Sequence, residues 1–558
     1  EFVKLIDSTF ATLAKDGFTQ DQIDAAFYQL ELSRREISSG SLPYGLQVLL
    51  SLAPGSLYKA DPLALSNVDK ALKDLKEKIK DKNFLTGLIK KHFVENPHRV
   101  NLEMIPDMEL INNRENNFTK VLEKIKSSMS SKEKLELVND SKALAERQEA
   151  TPDKNLLPKL ELSDVPNDVS YPKPKKLSTF GYSPVFYEEA TNGLTYSSVS
   201  RSLKIESSDE IGDLMLLSNL LGKVGTKDSD YLKLQENISK ISGGISTSTH
   251  FYLDKSDEIK GRISLSSKFL PENTNDISEI MLEILNTSLF ADDKRIKELM
   301  FQNFMGLQQS IVENGHRFAM LSASAAHNKL AQIHEISGGL TSLLKFAPFI
   351  SNNEDATKDQ IKRISTLHEK LKDNANELAF VSNVKLTKDQ INNLKNLNFN
   401  KTGDSNINFD FRKDFPKIAM PINTQVNFSA MSLDAPVFDY KESPKFLVLS
   451  SILRNEYLHR RVREQGGAYG GGATYDPFAG SFKLFSYRDP RFTETYEDFS
   501  ESFKWAAKGN FDDEILLEGK LSVLSDHDKP SSPAGEAFKD YRFNIEGKEQ
   551  KVRTQYRT

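Results

Sequence analysis

Residues 460–472 read Arg-Arg-Val-Arg-Glu-Gln-Gly-Gly-Ala-Tyr-Gly-Gly-Gly, and this run constrains the fold more than any other in the chain. Five of the seven residues at 466–472 are glycine, against a usual share of about 7%. The pattern goes from a basic helix end into a glycine-rich turn and then a strand. Glycine has no Cβ, so it is the residue of choice where another backbone or a ligand must come close. An arginine at 463 and a tyrosine at 469 can put a guanidinium and a hydroxyl on the same side of a cleft. A plainer account also fits: the glycines let two elements cross, Tyr469 packs, and Arg463 is solvated.

Composition narrows the class. The 558 residues are 38% hydrophobic and 27% charged, which suits a globular protein of several domains with a well-wetted surface. No run approaches the ~18 apolar residues of a membrane span. A net charge of −5 gives no reason to expect nucleic acid. With no cysteine, disulfides, thiolate nucleophiles and Cys-based zinc sites are excluded, and a reducing compartment, a bacterial cytoplasm or an organelle matrix, fits. The chain begins Glu1-Phe2-Val3 inside an amphipathic helical pattern, without Met or a targeting signal, as a fragment would.

Residues 2–50 read as helical, with a Thr19/Gln22 capping box, and helix-forming sequence continues over 68–94. Val100-Asn101-Leu102-Glu103-Met104 alternates like a strand. Residues 108–150 suit an exposed helical hairpin. Five prolines between 152 and 174 exclude a long helix and make 151–176 an extended linker. An α+β pattern follows. Strands are expected at 194–203, 243–252, 260–267 and 377–383. Helices are expected at 276–290, 294–313 and 357–373 and from a cap at Ser208. After a loop at 400–416 come a strand-rich run at 416–432 and a helix that opens with Ser443 as cap and Pro444 and runs to Arg463. Strands at 468–476 and 481–487 and helices at 491–508 and 511–523 complete the pattern. Sheets with one wet face beside long helices point to an α+β fold of layered sandwiches.

Several chemistries are missing. A zinc-peptidase helix carries His-Glu-x-x-His or His-x-x-Glu-His, but His334-Glu335 leads to Gly338 and His368-Glu369 to Lys372. His327 and His334, seven apart on one expected helical face beside Glu335, are the best remaining metal candidate, and surface histidines explain them as well. No Gly-x-Ser-x-Gly elbow and no phosphate loop occur. Gly470-Gly471-Gly472 is followed by strand-like sequence, so no helix N-terminus points at an anion there.

Residues 463–472, together with Ser486-Tyr487-Arg488-Asp489-Pro490, resemble the C-terminal half of the presequence protease and falcilysin-like subfamily of zinc peptidases, in the pitrilysin-insulysin clan. Supporting matches follow in order: Gly45-Leu46, His98 to Asp107, Thr191 to Tyr196, Gly243 to Ser246, and Lys520 to Ser525. The resemblance implies two-layer α/β sandwich domains in two halves, joined by a helical hairpin and closing as a clamshell over unfolded peptides. It divides this chain into the end of a second domain (1–107), hairpin and linker (108–176), a third domain (177–395) and a C-terminally incomplete fourth (396–558).

The same resemblance implies that Arg463, Gly467, Ala468 and Tyr469 contact the substrate backbone, with Tyr469 catalytic as donor to the scissile carbonyl. It places the zinc on an N-terminal half that is the partner of this chain, whose own residues hold no metal. The chain alone is then expected to be inactive. The alternative is a non-catalytic, peptide-binding or structural subunit of the same clan.

Overall fold

The computed structural model describes residues 1–38, 42–149, 158–167, 169–176, 184–351, 353–372, 374, 376–397, 405–413, 419–438, 441–509 and 511–558. They form two compact units, Glu1–Phe18 with Ile79–Leu160, and Thr19–Lys78 with Glu161–Thr558.

The first unit is helical. Phe2–Asp16 stacks Phe10 on Phe93, centroids 4.7 Å apart, and Phe93 lies in the wide turn Lys90–Val94 that continues the helix Lys82–Ile89. The hairpin expected after 108 is present as Leu110–Ser128 and Ser131–Glu149. The strand expected at 100–104 is not: these residues are irregular and exposed. A strand needs a neighbour for its N–H and C=O groups, and among the described residues none pairs with this segment.

The second unit opens with helices Gln20–Arg35, Tyr44–Leu57 and Val68–Lys78. Thr19 and Gln22 close the expected capping box. Eleven described strands follow: β1 (Pro174–Lys176), β2 (Val185–Glu188), β3 (Thr195–Ser202), β4 (Lys204–Ile205), β5 (Ile245–Leu253), β6 (Ile259–Phe269), β7 (Asn376–Ser382), β8 (Asn406–Ile407), β9 (Ala430–Asp434), β10 (Gly470–Asp476) and β11 (Ser481–Tyr487). Six make one sheet in the order β1-β2-β7-β3-β6-β5, antiparallel except where β2 runs parallel to β7. Strand alternation sorts its side chains. Leu378 and Phe380 join the main core, with Ile211, Leu217, Ile277 and Ile364 from helices Ser208–Leu220, Thr274–Thr287 and Glu354–Leu371. Ala379 and Val381 face the other way, onto Ala534, Ala537 and Tyr541 of the helix Pro533–Ile545. The fold is α+β, as the sequence pattern indicates.

Local corrections have simple causes. The cap of Ser208–Leu220 is Ser207, whose side chain accepts from the Glu210 N–H. Ser443 is the first residue of its helix and not the cap; Glu442 precedes it and provides no side-chain bond. In the strand-rich run expected at 416–432, 416–418 lie outside the described residues and regular strand begins only at Ala430. Asn427 and Ser429 still bond across to Asp489 and Ser486. Ahead of them Pro421 has no N–H to donate, and the Phe428 ring packs over Gly315, where a Cβ would stand 2.5 Å away.

Candidate functional site

The second sheet, ordered β10-β11-β9 and antiparallel, carries the glycine-rich run. The helix Ser443–Ile452 continues as a wider-wound π-helix, Leu453–Gln465, and lies flat against β10. A methyl on Gly471 would stand 2.7 Å from Val462 Cγ1 and 3.2 Å from the Phe485 carbonyl oxygen. One on Gly472 would stand 2.7 Å from Arg454 Cγ. One on Gly466 would meet the Arg491 guanidinium. Helix and strand therefore touch backbone to side chain without a Cβ between them. Below this contact Leu453, Leu458, Val462, Ala473, Phe482, Leu484 and Phe499 form a separate core. Gly471→Ala is expected to cost about 1–3 kcal/mol by overpacking, read as a lower denaturant midpoint, while Gly470→Ala, whose nearest neighbour would be 3.9 Å away, should be nearly neutral.

The turn from helix to strand is closed by backbone bonds. Gly467 N–H donates to the Arg463 carbonyl (3.0 Å) and Ala468 N–H to the Val462 carbonyl (3.2 Å). Gly467 has φ +80°, the left-handed end of a helix that glycine adopts without strain. Ala468 is buried. Tyr469 then emerges with 69% of its surface exposed. Its N–H donates to the Arg488 carbonyl (3.2 Å), and its ring stands edge-on to Tyr487, centroids 5.6 Å apart at 80°. Its hydroxyl has no hydrogen-bond partner among the described residues.

Arg463 sits one turn back. Its Nη1 meets His459 Nε2 at 3.1 Å, while His459 Nδ1 lies 3.4 Å from Glu464. Arg488 lies over the Tyr487 ring at 5.4 Å. Among the described residues neither arginine is paired with a carboxylate, whereas Arg491 and Arg461 share Asp498. The rim beside Tyr469 thus carries Arg488, while the Arg463 side chain turns back along its helix to His459. Arg488 itself has φ +50°, held by the buried Asp489, which accepts from Thr495 Oγ1 (2.6 Å) and from the Arg491 N–H (2.9 Å).

Sequence reasoning missed the support under this rim. Tyr487 contacts His316 (4.7 Å, edge-on) and Phe428 (5.7 Å). His316 comes from the helix Asp293–Ala325, far away in sequence. Burial, and then Arg317, lower its pKa, which favours the neutral ring against the aromatics. Next to it opens an apolar groove of about 900 Å³, lined by Phe318, Met420, Phe428, Met431 and Phe492 among others. The nearest sequence signal was Tyr487 within the second motif.

His327 and His334 do not share a helical face. Asn328 caps the helix Lys329–Gly338 by accepting from the Ala331 N–H, so His327 falls in the preceding turn and bonds Ser432 Oγ at 2.8 Å. Glu335 is fully buried and accepts from the Thr341 N–H (3.0 Å). Among the described residues no three His, Asp or Glu side chains converge as a metal site would require, and no helix is long and apolar enough to cross a membrane.

Residues 104–347 match a family described as associated with subfamily C of the M16 peptidases, and residues 417–558 match the PreP C-terminal domain. The chain is 27% identical over 554 residues to presequence protease 1, chloroplastic/mitochondrial, of Arabidopsis thaliana, covering 96% of this chain and 51% of that relative. It is 25% identical to the mitochondrial presequence protease of Yarrowia lipolytica (96% and 55%) and 28% identical to protein HypA of Clostridium perfringens (95% and 55%). The chain spans about half the length of these relatives. Among solved structures, a protease from Helicobacter pylori aligns at TM-score 0.47 and 12% identity, over 70% of this chain and 92% of that one. A peptidase M16 inactive domain from Pseudomonas fluorescens aligns at 0.44 and 15%, over 69% and 93%. Through these matches the chain is similar to the M16 peptidases. Among them, this chain resembles the C-terminal portion of the presequence proteases.

Proposed function

We propose that this chain is the substrate-closing half of a zinc metalloendopeptidase that degrades unfolded peptides inside a closed chamber. The carrying observation is Tyr469: an exposed side chain on a backbone fixed by glycine packing, bonded through its N–H to Arg488, with Arg463 at the end of the preceding helix and neither arginine paired with a described carboxylate. The family matches support the peptidase class, and the length of the relatives leaves room for a second half.

Among the described residues, no group of side chains fits the zinc. His327 is engaged with Ser432, and Glu335 is buried against Gly339 and Thr341. In this reading the metal is held by the partner half, where it would supply activated water. What this chain contributes is backbone recognition. Arg463 presents a planar fork to a substrate carbonyl. Tyr469 donates its hydroxyl to the scissile carbonyl oxygen as charge grows there. Gly467 lets the peptide approach the turn closely, whereas Ala468, expected from the resemblance to meet the peptide, is buried and supports the turn from below. Closure brings these groups to the substrate and excludes bulk water. The division at 1–107, 108–176, 177–395 and 396–558 is part of the same proposal.

The test is zinc stoichiometry and cleavage of an unstructured peptide, by this chain alone and joined to the zinc-bearing half. Alone, it is expected to hold no stoichiometric zinc and cut nothing; joined, the pair should turn over. One zinc per chain with turnover by the chain alone would overturn the assignment. Peptide binding without cleavage by the pair would leave a non-catalytic binding subunit.

A further inference from the structure

The six-stranded sheet ends at β5, and among the described residues no strand pairs with the far side of β5. The Asp254 N–H donates to the Glu258 carbonyl (3.0 Å), in register with the β5–β6 ladder. Opposed residues of an antiparallel pair alternate between bonded and unbonded positions. Ser246, Ser248, His250 and Tyr252 therefore bond β6, while Ile245, Thr247 and Thr249 turn their N–H and C=O groups away from it. No described hydrogen bond uses those outward groups, and none of residues 245–249 is buried. Beyond them the His334 ring bonds the backbone of Phe251. Edge strands are commonly guarded against pairing by lysine, proline or a bulge. The run Ile245-Ser246-Thr247-Ser248-Thr249 has none of these and pairs with β6 in unbroken register.

Beside this edge lies a cavity of about 670 Å³. Its floor is two rows of serine across three strands: Ser198, Ser266 and Ser246, then Ser200, Ser264 and Ser248. The cations around it are neutralised, Lys268 by Glu36, Arg262 by Glu377 and His250 by Glu546. We infer that β5 is a binding site for an extended peptide, which adds as a further strand along Ile245–Thr249 and lays alternate side chains over the serine floor. Main-chain bonds give such a site affinity without reading sequence, and a neutral floor of short hydroxyl side chains admits side chains of mixed kind. The inference rests on the proposed function for its occupant, an unfolded peptide, and gives that function a second holding point besides Tyr469. A second copy of the chain fits less well. Two β5 strands paired edge to edge would bring polar serine faces together, whereas lasting interfaces are apolar at their centre.

Amide hydrogen exchange on this chain, read residue by residue with and without a short, proline-free peptide of Ala, Ser, Val and Gln, tests this. Without peptide, the Thr247 and Thr249 amides should exchange fast beside slow Ser246 and Ser248 amides. Saturating peptide should slow the fast pair by about 10-fold or more. Thr247→Pro removes an edge N–H and no ladder bond, so the sheet should stand, while the peptide binds about 10-fold more weakly or worse. The same peptide N-methylated along its backbone should not bind. Thr247 and Thr249 amides that are slow without peptide would show an edge already covered: by this chain itself if they are slow when dilute, by a second copy if they slow with concentration, by the zinc-bearing half if they are slow only in the joined protein. Peptide that binds without slowing them, or that binds Thr247→Pro or accepts N-methylation unchanged, sits elsewhere, and no binding means no site. Each of these overturns the inference. Slowing by peptide in a joined protein that cleaves nothing would instead sink the protease reading and leave the strand addition standing.

Discussion

Tyr469→Phe in the joined enzyme is expected to lower kcat by about 10²–10³, the usual cost of losing one donor to a developing oxyanion, with a small change in KM. The substitution is clean on structural grounds. Tyr469 contributes a backbone N–H to Arg488 and a ring edge to Tyr487, and phenylalanine keeps both. Only the hydroxyl is lost, and it bonds nothing in the described chain. Losing a group that bonds the carbonyl more strongly as charge builds lowers kcat and kcat/KM together, whereas losing uniform binding shows in KM. Arg463→Ala should show the second pattern, because a guanidinium on a neighbouring carbonyl holds ground state and transition state alike. Unchanged kcat for Tyr469→Phe, with unchanged thermal unfolding, would remove Tyr469 from the chemistry.

How far this site was legible depends on how local each part is. The glycines announced a close approach, and the structure supplies the other surface: Val462, Arg454 and Arg491 stand where Cβ atoms would be. The hairpin, the β5–β6 pair and the strands around the glycine run were legible because periods of two and 3.6 are written in consecutive residues. The supporting cluster was not. His316 meets Tyr487 from a distant part of the chain, and nothing local in either segment marks the pair. Arg201 is a second case. A strand arginine reads as surface, yet it is 1% exposed and bonds Asn376, Asn286 and the carbonyls of Leu285 and Leu371. The alternation at 100–104 was read correctly as a pattern, but a pattern becomes a strand only when a partner is present.

Two buried groups in the second unit should oppose each other in pH. Burial raises the Glu335 carboxyl from its ordinary 4.5 to about 7; the backbone N–H groups of Thr341 and Leu340 offset part of this, and one carboxyl oxygen has no partner. Its folded-state pKa is raised, so its contribution to stability is fully present below about pH 4.5 and is lost as pH rises through 7. His368, 2% exposed and edge-on to Phe290, is lowered from 6.5 to about 4, first by burial and then by Lys372. Its contribution is present above about 6.5 and is lost as pH falls through 4. Each shift corresponds to about 3 kcal/mol, and the two slopes have opposite sign between pH 4.5 and 6.5. In that window the wild-type protein therefore hides both. Glu335→Gln deletes the loss on the alkaline side, so its stability relative to wild type should improve by about 3 kcal/mol between about pH 4 and 8. His368→Gln should show the reverse, losing ground to wild type over the same rise in pH. Denaturant titrations across that range read both differences. A difference that stays flat with pH for either variant would mean that its group keeps an ordinary pKa in the folded protein, and that burial at that position is relieved by solvent.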